Sequence, residues 1–385
     1  MQRTKQERRS QELLAALRPQ QAHMLETLRG LVELESPSHD KAALERLAQR
    51  LAREFAHRGG KAQFHDRDKN GPHVQLDFTG GSGKPVLLLG HYDTVWAVGT
   101  LGKMPFHVDK VRAWGPGIFD MKAGIVMMMC ALEALAHGGG LPRPVTVLLV
   151  SDEEIGSESS RAVTESLART SAAVLVLEPA YGPKGACKTA RKGVGDFAVR
   201  VTGVAAHSGL DFEKGHNAVL ELARQIERVA GFTDLKRGIT VSANIVRGGA
   251  RRNVVPAEAE AEIDVRIAHA KDGATIGKKF RSLKPFDPKC RIEVRGGINR
   301  PPLERTREVA RLYGQAREIA RELGFELKEA AVGGGSDGNF TAGLGIPTLD
   351  GLGAVGDGAH ATTEHVLIAE LPRRAAMLAR LIETV

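Results

Sequence analysis

The sequence predicts an α/β protein with a mostly parallel sheet, into which a smaller α+β domain of ferredoxin-like type is inserted. Two observations lead to this prediction. First, three continuous apolar runs alternate with segments of helical periodicity, which is typical of strands buried on both faces of a parallel sheet. These runs are residues 86–89, 145–150 and 174–177. Second, from about Gly193 apolar and polar residues alternate, which indicates half-exposed antiparallel strands.

The chain has 385 residues, which is more than one small core needs, so we expect two domains. The larger catalytic domain is predicted to comprise residues 1–192 and 299–385. The smaller inserted domain is predicted to span residues 193–298. Alternating apolar positions in 197–201, 239–245 and 259–267 predict its strands, and a helix is expected over about 216–230.

Composition narrows the class of protein. Hydrophobic residues make up 42% and charged residues 26%, as in soluble globular proteins. The net charge of +8 is compatible with nucleic-acid binding, but the basic residues are scattered and aromatics reach only 4%. We therefore expect no nucleic-acid partner and an attraction for small anionic substrates. The apolar runs are too short for a membrane span, and three scattered cysteines indicate a reducing, cytoplasmic location.

The remaining elements follow in chain order. Apolar residues at helical spacing predict two helices within residues 11–35, separated by Pro19. Asp40 is placed to cap a long amphipathic helix from Lys41 to about His57. Alternation over residues 74–78 predicts a strand, and helices are expected over about 122–137, 305–323 and from about Pro372.

Polar residues that suit metal binding follow each of the three apolar runs. In chain order they are His91 and Asp93, Glu153 and Glu154, and Glu178. Asp120 lies in the glycine-rich loop 115–124, where it is expected to cap the next helix, to bind a metal, or both. Carboxyl ends of parallel strands share one edge, so these groups should converge. Converging carboxylates repel one another without cations, and this donor set suits two divalent ions, with zinc the leading choice.

Some assignments stay open from the residues alone. Asp93 either joins His91 at a metal or orients its ring. A second glycine-rich loop, 356–364, carries His360, and Glu364 is a candidate to support that histidine. Loop 333–338, which includes Gly335, suits close backbone approach to a ligand. Five further histidines are expected at the surface, namely His39, His73, His107, His137 and His365.

With these motifs in order, the chain from about Leu31 onward resembles the dinuclear-zinc metallopeptidase family of glutamate carboxypeptidases, acetylornithine deacetylase, succinyl-diaminopimelate desuccinylase and aminoacylases. The likeness is greatest to the folate-cleaving glutamate carboxypeptidases. The motifs that carry it are His91-x-Asp93, Gly115-x-Gly117-x-x-Asp120-x-Lys122, Asp152-Glu153-Glu154-x-Gly156, Glu178-Pro179, Ala206-His207-Ser208-Gly209 and Gly358-x-His360.

The resemblance implies two Zn²⁺ per subunit, with Co²⁺ or Mn²⁺ as substitutes. It implies these roles: Asp120 bridges both ions, His91 and Glu178 complete one ion's shell, Glu154 and His360 complete the other's, Asp93 fixes the ring of His91, and Glu153 is the general base. It also implies a cis peptide bond between Asp120 and Met121. By the same resemblance, the larger domain is expected to be a zinc-peptidase catalytic domain, and the inserted domain is expected to be its lid and dimerisation domain.

The resemblance further implies a homodimer through the lid domain, in which His207 stabilises the oxyanion from the partner subunit. Arg266 and Asn253 match positions that bind the substrate's α-carboxylate, and Arg300 matches one that favours a glutamate side chain. Gly335 is predicted as a further substrate contact from its glycine-rich loop alone. The implied reaction is hydrolysis of an amide next to a free carboxylate, in a small anionic peptide or N-acyl amino acid. Release of C-terminal glutamate is the first expectation, and N-acyl amino acid deacylation is the alternative.

Overall fold

The computed structural model describes residues 2–65 and 70–385, with side chains from Lys5 onward. The chain forms two compact units. Unit 1 contains the chain up to Ala190, together with Arg305–Val332 and Ser336–Val385. Unit 2 contains Arg191–Glu304 and Gly333–Gly335. Each unit has its own hydrophobic core.

Ten α-helices occur in the described residues. They are α1 Gln2–Leu17, α2 Gln21–Val32, α3 Lys41–Ala56, α4 Ala123–His137, α5 Arg161–Thr170, α6 Ala218–Ala230, α7 Ala270–Arg281, α8 Arg307–Glu322, α9 Gly338–Gly343 and α10 Glu370–Thr384. A short 3₁₀ turn that contains Pro19 separates α1 from α2, as predicted. The Asp40 carboxylate caps α3 by accepting the N–H of Ala43 at 2.9 Å, so this predicted start is also confirmed.

The strands of the described residues are β1 Lys61–His65, β2 His73–Phe78, β3 Val86–His91, β4 His107–Val108, β5 Arg112–Trp114, β6 Val145–Val150, β7 Ala173–Val176, β8 Cys187–Arg191, β9 Gly193–Thr202, β10 Ala206–His207, β11 Thr240–Gly248, β12 Val254–Val255, β13 Glu258–Ile267, β14 Arg291–Arg300, β15 Glu329–Val332, β16 Thr348–Leu349, β17 Gly356–Asp357 and β18 His365–Leu367. The sequence patterns did not single out β1 or β14.

The central sheet of unit 1 has six strands in the order β1-β2-β6-β3-β7-β16. Strand β3 is parallel to both β6 and β7, and β16 is parallel to β7. Strands β1 and β2 form an antiparallel edge. The predicted fold class, an α/β protein with a mainly parallel sheet, is confirmed.

Both faces of this sheet are covered, because successive side chains of its inner strands enter different cores. Val86 and Leu88 belong to the large core that also contains residues of α1, α2, α4, α8 and α10. Leu87 and Leu89 belong to a smaller core on the other face, with Ala168 of α5. All six residues of β3 are buried, which explains why the sequence shows an unbroken apolar run there.

Unit 2 has the connectivity β9-α6-β11-β13-α7-β14, and its antiparallel sheet has the order β11-β13-β9-β14. This is the βαββαβ pattern of ferredoxin-like folds, as predicted. Asn217 caps α6 by accepting the N–H of Leu220 at 3.0 Å. The role of this part of the chain as a lid and dimerisation domain stays a prediction.

One prediction about the surface is wrong. His73 is not exposed but fully buried in β2. Its Nδ1 accepts the backbone N–H of Ser151 at 3.2 Å, and its Nε2 lies 3.1 Å from the Ser159 hydroxyl. These partners satisfy the hydrogen-bonding groups of the buried ring. The sequence gives no sign of this burial, because the partners lie in other segments of the chain.

The structure also describes the cysteines and the apolar character of the helices. Cys130, Cys187 and Cys290 are all free and buried. Among the described residues, no helix has both the length and the apolar character that crossing a membrane requires.

Candidate metal centre

Strand register in unit 1 brings the predicted ligands together. His91, the last residue of β3, is paired with Val150, the last residue of β6. On the other side, Leu89 is paired with Val176 of β7. Glu178 lies two residues beyond Val176, so it stands beside His91 at the same edge. The loop that carries Glu153 and Glu154 starts from the end of β6, so it opens at this edge as well.

Asp120 lies in the turn that precedes α4. Gly117 begins this turn with a φ of 70°, a conformation that favours glycine. The peptide bond Asp120–Met121 is cis, as the resemblance implied. The Asp120 carboxylate has one oxygen towards each of two histidines. Its Oδ1 lies 3.1 Å from His91 Nε2, and its Oδ2 lies 3.6 Å from His360 Nε2.

These separations match those expected between two ligands of one zinc ion. Two donor atoms about 2.1 Å from a tetrahedral ion lie about 3.4 Å apart. The imidazole nitrogen Nε2 of His91 is 3.1 Å from Asp120 and 3.5 Å from Glu178. That of His360 is 3.6 Å from Asp120 and 3.1 Å from Glu154. The donor types and their spacing therefore fit two zinc-like ions with Asp120 between them.

Two sets of three potential ligand atoms are present, and the atoms of each set all lie within 4.8 Å of one another. One set contains His91, Asp120 and Glu154, and the other contains His91, Glu153 and Glu178. The second set includes the residue that we predict to be the general base. Glu153 is therefore close enough to His91 and Glu178 to share a metal ion with them.

Asp93 holds the ring of His91 and the backbone of Glu153 and Glu154 in place. The Nδ1 of His91 lies 3.0 Å from the Asp93 carbonyl oxygen and 3.4 Å from its carboxylate. Donation from Nδ1–H leaves Nε2 with its lone pair towards the site. The buried Asp93 carboxylate also accepts the N–H groups of Glu153 and Glu154, each at 3.2 Å, and the Ser38 hydroxyl at 2.7 Å.

The clustered carboxylates change the protonation of both histidines. Burial alone would lower the pKa of His91, but hydrogen bonds with Asp120, Asp93 and Glu178 raise it well above its usual value. Hydrogen bonds with Asp120 and Glu154 raise the pKa of His360 to about 10. The pKa of Asp120 is lowered, because its hydrogen bonds with His360 and His91 outweigh burial, whereas burial raises the pKa of Glu154. The site thus favours positive charge.

The candidate residues outside unit 1 lie in unit 2. His207 of β10 is paired with Val254 of β12, and Ser208 donates its N–H to the Asn253 carbonyl at 3.0 Å. His207 and Asn253 are therefore neighbours. The Nδ1 of His207 accepts the N–H groups of Gly209 and Leu210 at 3.1 and 3.2 Å. In the neutral ring the proton is therefore on Nε2, and this nitrogen can act as a hydrogen-bond donor.

The other predicted substrate contacts are placed as follows. Arg266 forms a two-pronged pair with Asp264, at 2.9 Å from Nε and 2.7 Å from Nη2. Arg300 is buried at the end of β14. The carbonyl of Gly335 accepts Nη1 of the buried Arg191 at 2.8 Å. Because Arg266 already has a carboxylate partner in its own strand, substrate would have to share or displace that contact.

Sequence reasoning missed or misjudged some supporting residues. Lys188 was not considered, although its ammonium lies 4.0 Å from the Glu178 carboxylate. Ser38 was not predicted to support the site, although its hydroxyl donates to the Asp93 carboxylate at 2.7 Å. Glu364 was a candidate support for His360, but its carboxylate instead accepts N–H groups from the loop that carries Asp120.

Comparisons with known proteins show the family to which this chain is related. Residues 87–384 match the sequence model of Peptidase family M20/M25/M40. Carboxypeptidase G2 of Pseudomonas sp. (strain RS-16) is 30% identical over 98% of this chain and 92% of its own length. Succinyl-diaminopimelate desuccinylase of Xanthomonas oryzae pv. oryzae is 28% identical over 79% of this chain and 85% of its own. The YXEP protein of Bacillus subtilis, described as a dinuclear metal binding peptidase, superposes with a TM-score of 0.67 at 15% identity, covering 94% and 97% of the two chains.

The raised pKa of His360 predicts that metal uptake releases a proton. At pH 8 the His360 ring of the metal-free protein is protonated, because its pKa is about 10, whereas a metal ligand must be neutral. Zinc affinity should therefore rise with pH and level off near pH 10. Calorimetric zinc titrations in buffers of different ionisation enthalpy measure the protons released.

His360→Ala should release fewer protons than wild type in this titration. His137→Ala is the matched control, because His137 is exposed at the far end of α4, about 22 Å along the helix from its start near Asp120. Equal proton release by wild type and His360→Ala would contradict the prediction that a protonated His360 gives up its proton to the metal.

Proposed function

The chain belongs to peptidase family M20/M25/M40, and we propose that it is a two-zinc hydrolase that cleaves an amide bond next to a free carboxylate and releases C-terminal glutamate. The observation that carries the proposal is the position of the Asp120 carboxylate between two imidazoles, His91 and His360, each of which also faces a glutamate. This arrangement supplies two neighbouring cation sites that share one ligand. Zinc is proposed because mixed imidazole and carboxylate donors suit it, with Co²⁺ or Mn²⁺ as substitutes.

In this proposal the metal ligands are His91, Asp120, Glu154, Glu178 and His360. Bound zinc would acidify a water molecule and polarise the scissile carbonyl. Glu153 takes the water's proton and later gives it to the leaving amine. Its backbone N–H is fixed by the Asp93 carboxylate, so the position of the base is tied to the same residue that orients His91.

Charge that develops on the carbonyl oxygen needs a hydrogen-bond donor. His207 supports this role, because the two N–H groups at its Nδ1 leave Nε2 as the protonated nitrogen. Arg266 and Asn253 are proposed to hold the α-carboxylate, since an arginine can grip a carboxylate with two parallel hydrogen bonds. Arg300 and Gly335 are proposed to contact the glutamate side chain and the substrate backbone.

The carboxypeptidase reading is supported by the 30% identity to carboxypeptidase G2, which extends over nearly the whole chain. The alternative is an N-acyl amino acid deacylase of the acetylornithine deacetylase or succinyl-diaminopimelate desuccinylase type. It is supported by the 28% identity to a desuccinylase. Both reactions break an amide beside a free carboxylate, so the metal ligands and the base serve either one.

A homodimer through unit 2 is also proposed. Strand β11 is the edge of the four-stranded sheet, and its Ile245 and Val246 are 42% and 56% exposed. An exposed apolar edge strand is a pairing surface. Pairing with a second copy would cover it and would allow His207 to act on the partner's metal centre.

Glu153→Gln should keep both metals and lower kcat by a factor of about 10²–10⁴, the usual contribution of a general base. The glutamine keeps the size of the side chain but cannot accept the proton. Metal content by elemental analysis and steady-state kinetics on the same sample measure the two effects separately.

Glu154→Gln is the matched comparison, because it changes the neighbouring residue in the same way. It should lose one metal, since Glu154 faces His360 at 3.1 Å. Loss of metal in Glu153→Gln as well would make Glu153 a ligand, as its presence in one of the two ligand sets allows.

His207→Ala should lower kcat by about 10²–10³ while the metal content stays at its wild-type value. Stopped assays and metal analysis of the purified variant provide both numbers. If His207 acts across subunits, inactive His207→Ala mixed with inactive Glu153→Gln should regain activity, because one site of the mixed dimer has both groups. No recovery after verified subunit exchange would place the site within one chain.

Substrate preference decides between the two proposed reactions. With zinc supplied, the enzyme should cleave N-acyl-glutamate, folate-type glutamates and glutamyl dipeptides faster than acetylornithine, succinyl-diaminopimelate or neutral N-acetyl amino acids. Rates across this panel give the comparison as kcat/KM. A preference for a basic or neutral amino acid would keep the metal chemistry and favour the deacylase.

A further inference from the structure

Glu364 has no exposed surface, yet its carboxylate meets four N–H donors. Oε1 accepts from the backbone of Phe119 at 2.9 Å and of Asp120 at 3.0 Å, and Oε2 accepts from the backbone of Gly117 and the indole of Trp96, both at 2.9 Å. A buried carboxylate with this many donors is firmly held. It fixes three of the four residues that lead up to and include Asp120.

The same residue closes the loop that carries His360. Glu364 donates its N–H to the Ala361 carbonyl at 3.0 Å, and Ala361 donates to Gly358 at 2.8 Å. Gly358 has a φ of 81°, and a Cβ there would lie 2.9 Å from the Glu364 nitrogen. His360 itself has a φ of 62°. This loop is therefore tight, and its conformation depends on where Glu364 is held.

Pairing between strands β18 and β5 gives a second connection between the Asp120 loop and the His360 loop. Strand β18 begins directly after Glu364 and pairs with β5, which ends directly before Gly115. Gly115 donates its N–H to the Glu364 carbonyl at 3.4 Å. The side chain of Glu364 therefore completes a connection between the Asp120 loop and the His360 loop that the backbone pairing begins.

From these contacts we propose that Glu364 is a positioning residue that sets the separation of Asp120 and His360, and so sets the affinity of the metal site that these two share with Glu154. The inference rests on the proposed two-metal function. It assigns Glu364 no contact with substrate or metal. It also gives a reason for a glutamate four residues after His360, since its carboxylate holds the Asp120 loop while its backbone N–H closes the His360 loop.

Glu364→Gln tests the inference with almost no change in shape. Each carboxylate oxygen accepts two N–H groups, but the NH₂ group of a glutamine accepts none. Whichever way the amide turns, two donors lose their acceptor and face another donor. We expect a loss of about 10- to 100-fold in zinc affinity at the site of His360 and Glu154, the range typical for residues that orient metal ligands. A smaller loss is expected at the other site, because Asp120 is proposed to serve both. Competition with a chromophoric chelator measures both affinities.

Glu221→Gln is the matched control. Glu221 is a buried glutamate of unit 2 whose carboxylate also accepts backbone N–H groups, from Phe286 and Asp287 at 2.9–3.1 Å. It should lower the thermal stability of the metal-free protein without changing either zinc affinity. Thermal unfolding of metal-free Glu364→Gln and Glu221→Gln separates a loss of stability from a loss of metal binding.

The identity of the affected site is tested with His360→Ala. If Glu364 acts mainly through the site of His360, Glu364→Gln should weaken zinc binding less in the His360→Ala background than in wild type. Should Glu364→Gln fail to fold, Trp96→Phe removes a single donor and should cause a smaller loss at the same site. The inference would be overturned if Glu364→Gln bound zinc with wild-type affinity, or lost affinity only at the other site. If Trp96→Phe has to be used instead of Glu364→Gln, the same two outcomes in that variant would overturn it. If wild type itself binds no zinc, the proposed function fails instead.

Discussion

The concentration of negative charge at one edge of the unit 1 sheet is the constraint on which the site depends. Asp120, Glu154 and Glu178 each lie within 3.6 Å of a histidine nitrogen. Carboxylates this close together repel one another unless cations separate them. In the metal-free protein, protons on His91 and His360 partly fill that role, which is why both pKa values are raised. Metal and protons therefore compete for the same positions.

The fold meets this constraint through strand register rather than through any special local structure. The pairing of His91 with Val150 and of Leu89 with Val176 fixes where β6 and β7 end relative to β3. Both faces of these strands are buried, so a shift by one residue would place every side chain in the wrong core. The apolar runs that make the strands recognisable in the sequence therefore also hold the ligands in place.

The sequence predicted the elements that carry strong periodicity and the residues that end them. The three apolar strands, the helix capped by Asp40 and the convergence of His91, Asp120 and Glu178 all follow from local patterns. Strands β1 and β14 were missed although polar and apolar residues alternate over 61–65 and 291–295. The burial of His73 was missed because its partners, Ser151 and Ser159, are distant in sequence. The contacts of Glu364 join residues 244–268 positions apart, and no local pattern reports such pairs.

Two buried carboxylates near the site, Asp93 and Glu364, are satisfied in a different way from the ligands. Asp93 accepts the N–H groups of Glu153 and Glu154, and Glu364 accepts those of the Asp120 loop. Backbone N–H groups stabilise a carboxylate with partial charges and add no positive charge of their own, while burial raises the pKa of Glu364. A lysine or arginine in the same role would have cancelled the carboxylate's charge beside the metal ions. By using backbone donors at these two carboxylates, the protein fixes the loops of Asp120, Glu153 and Glu154 without adding a positive charge at those points.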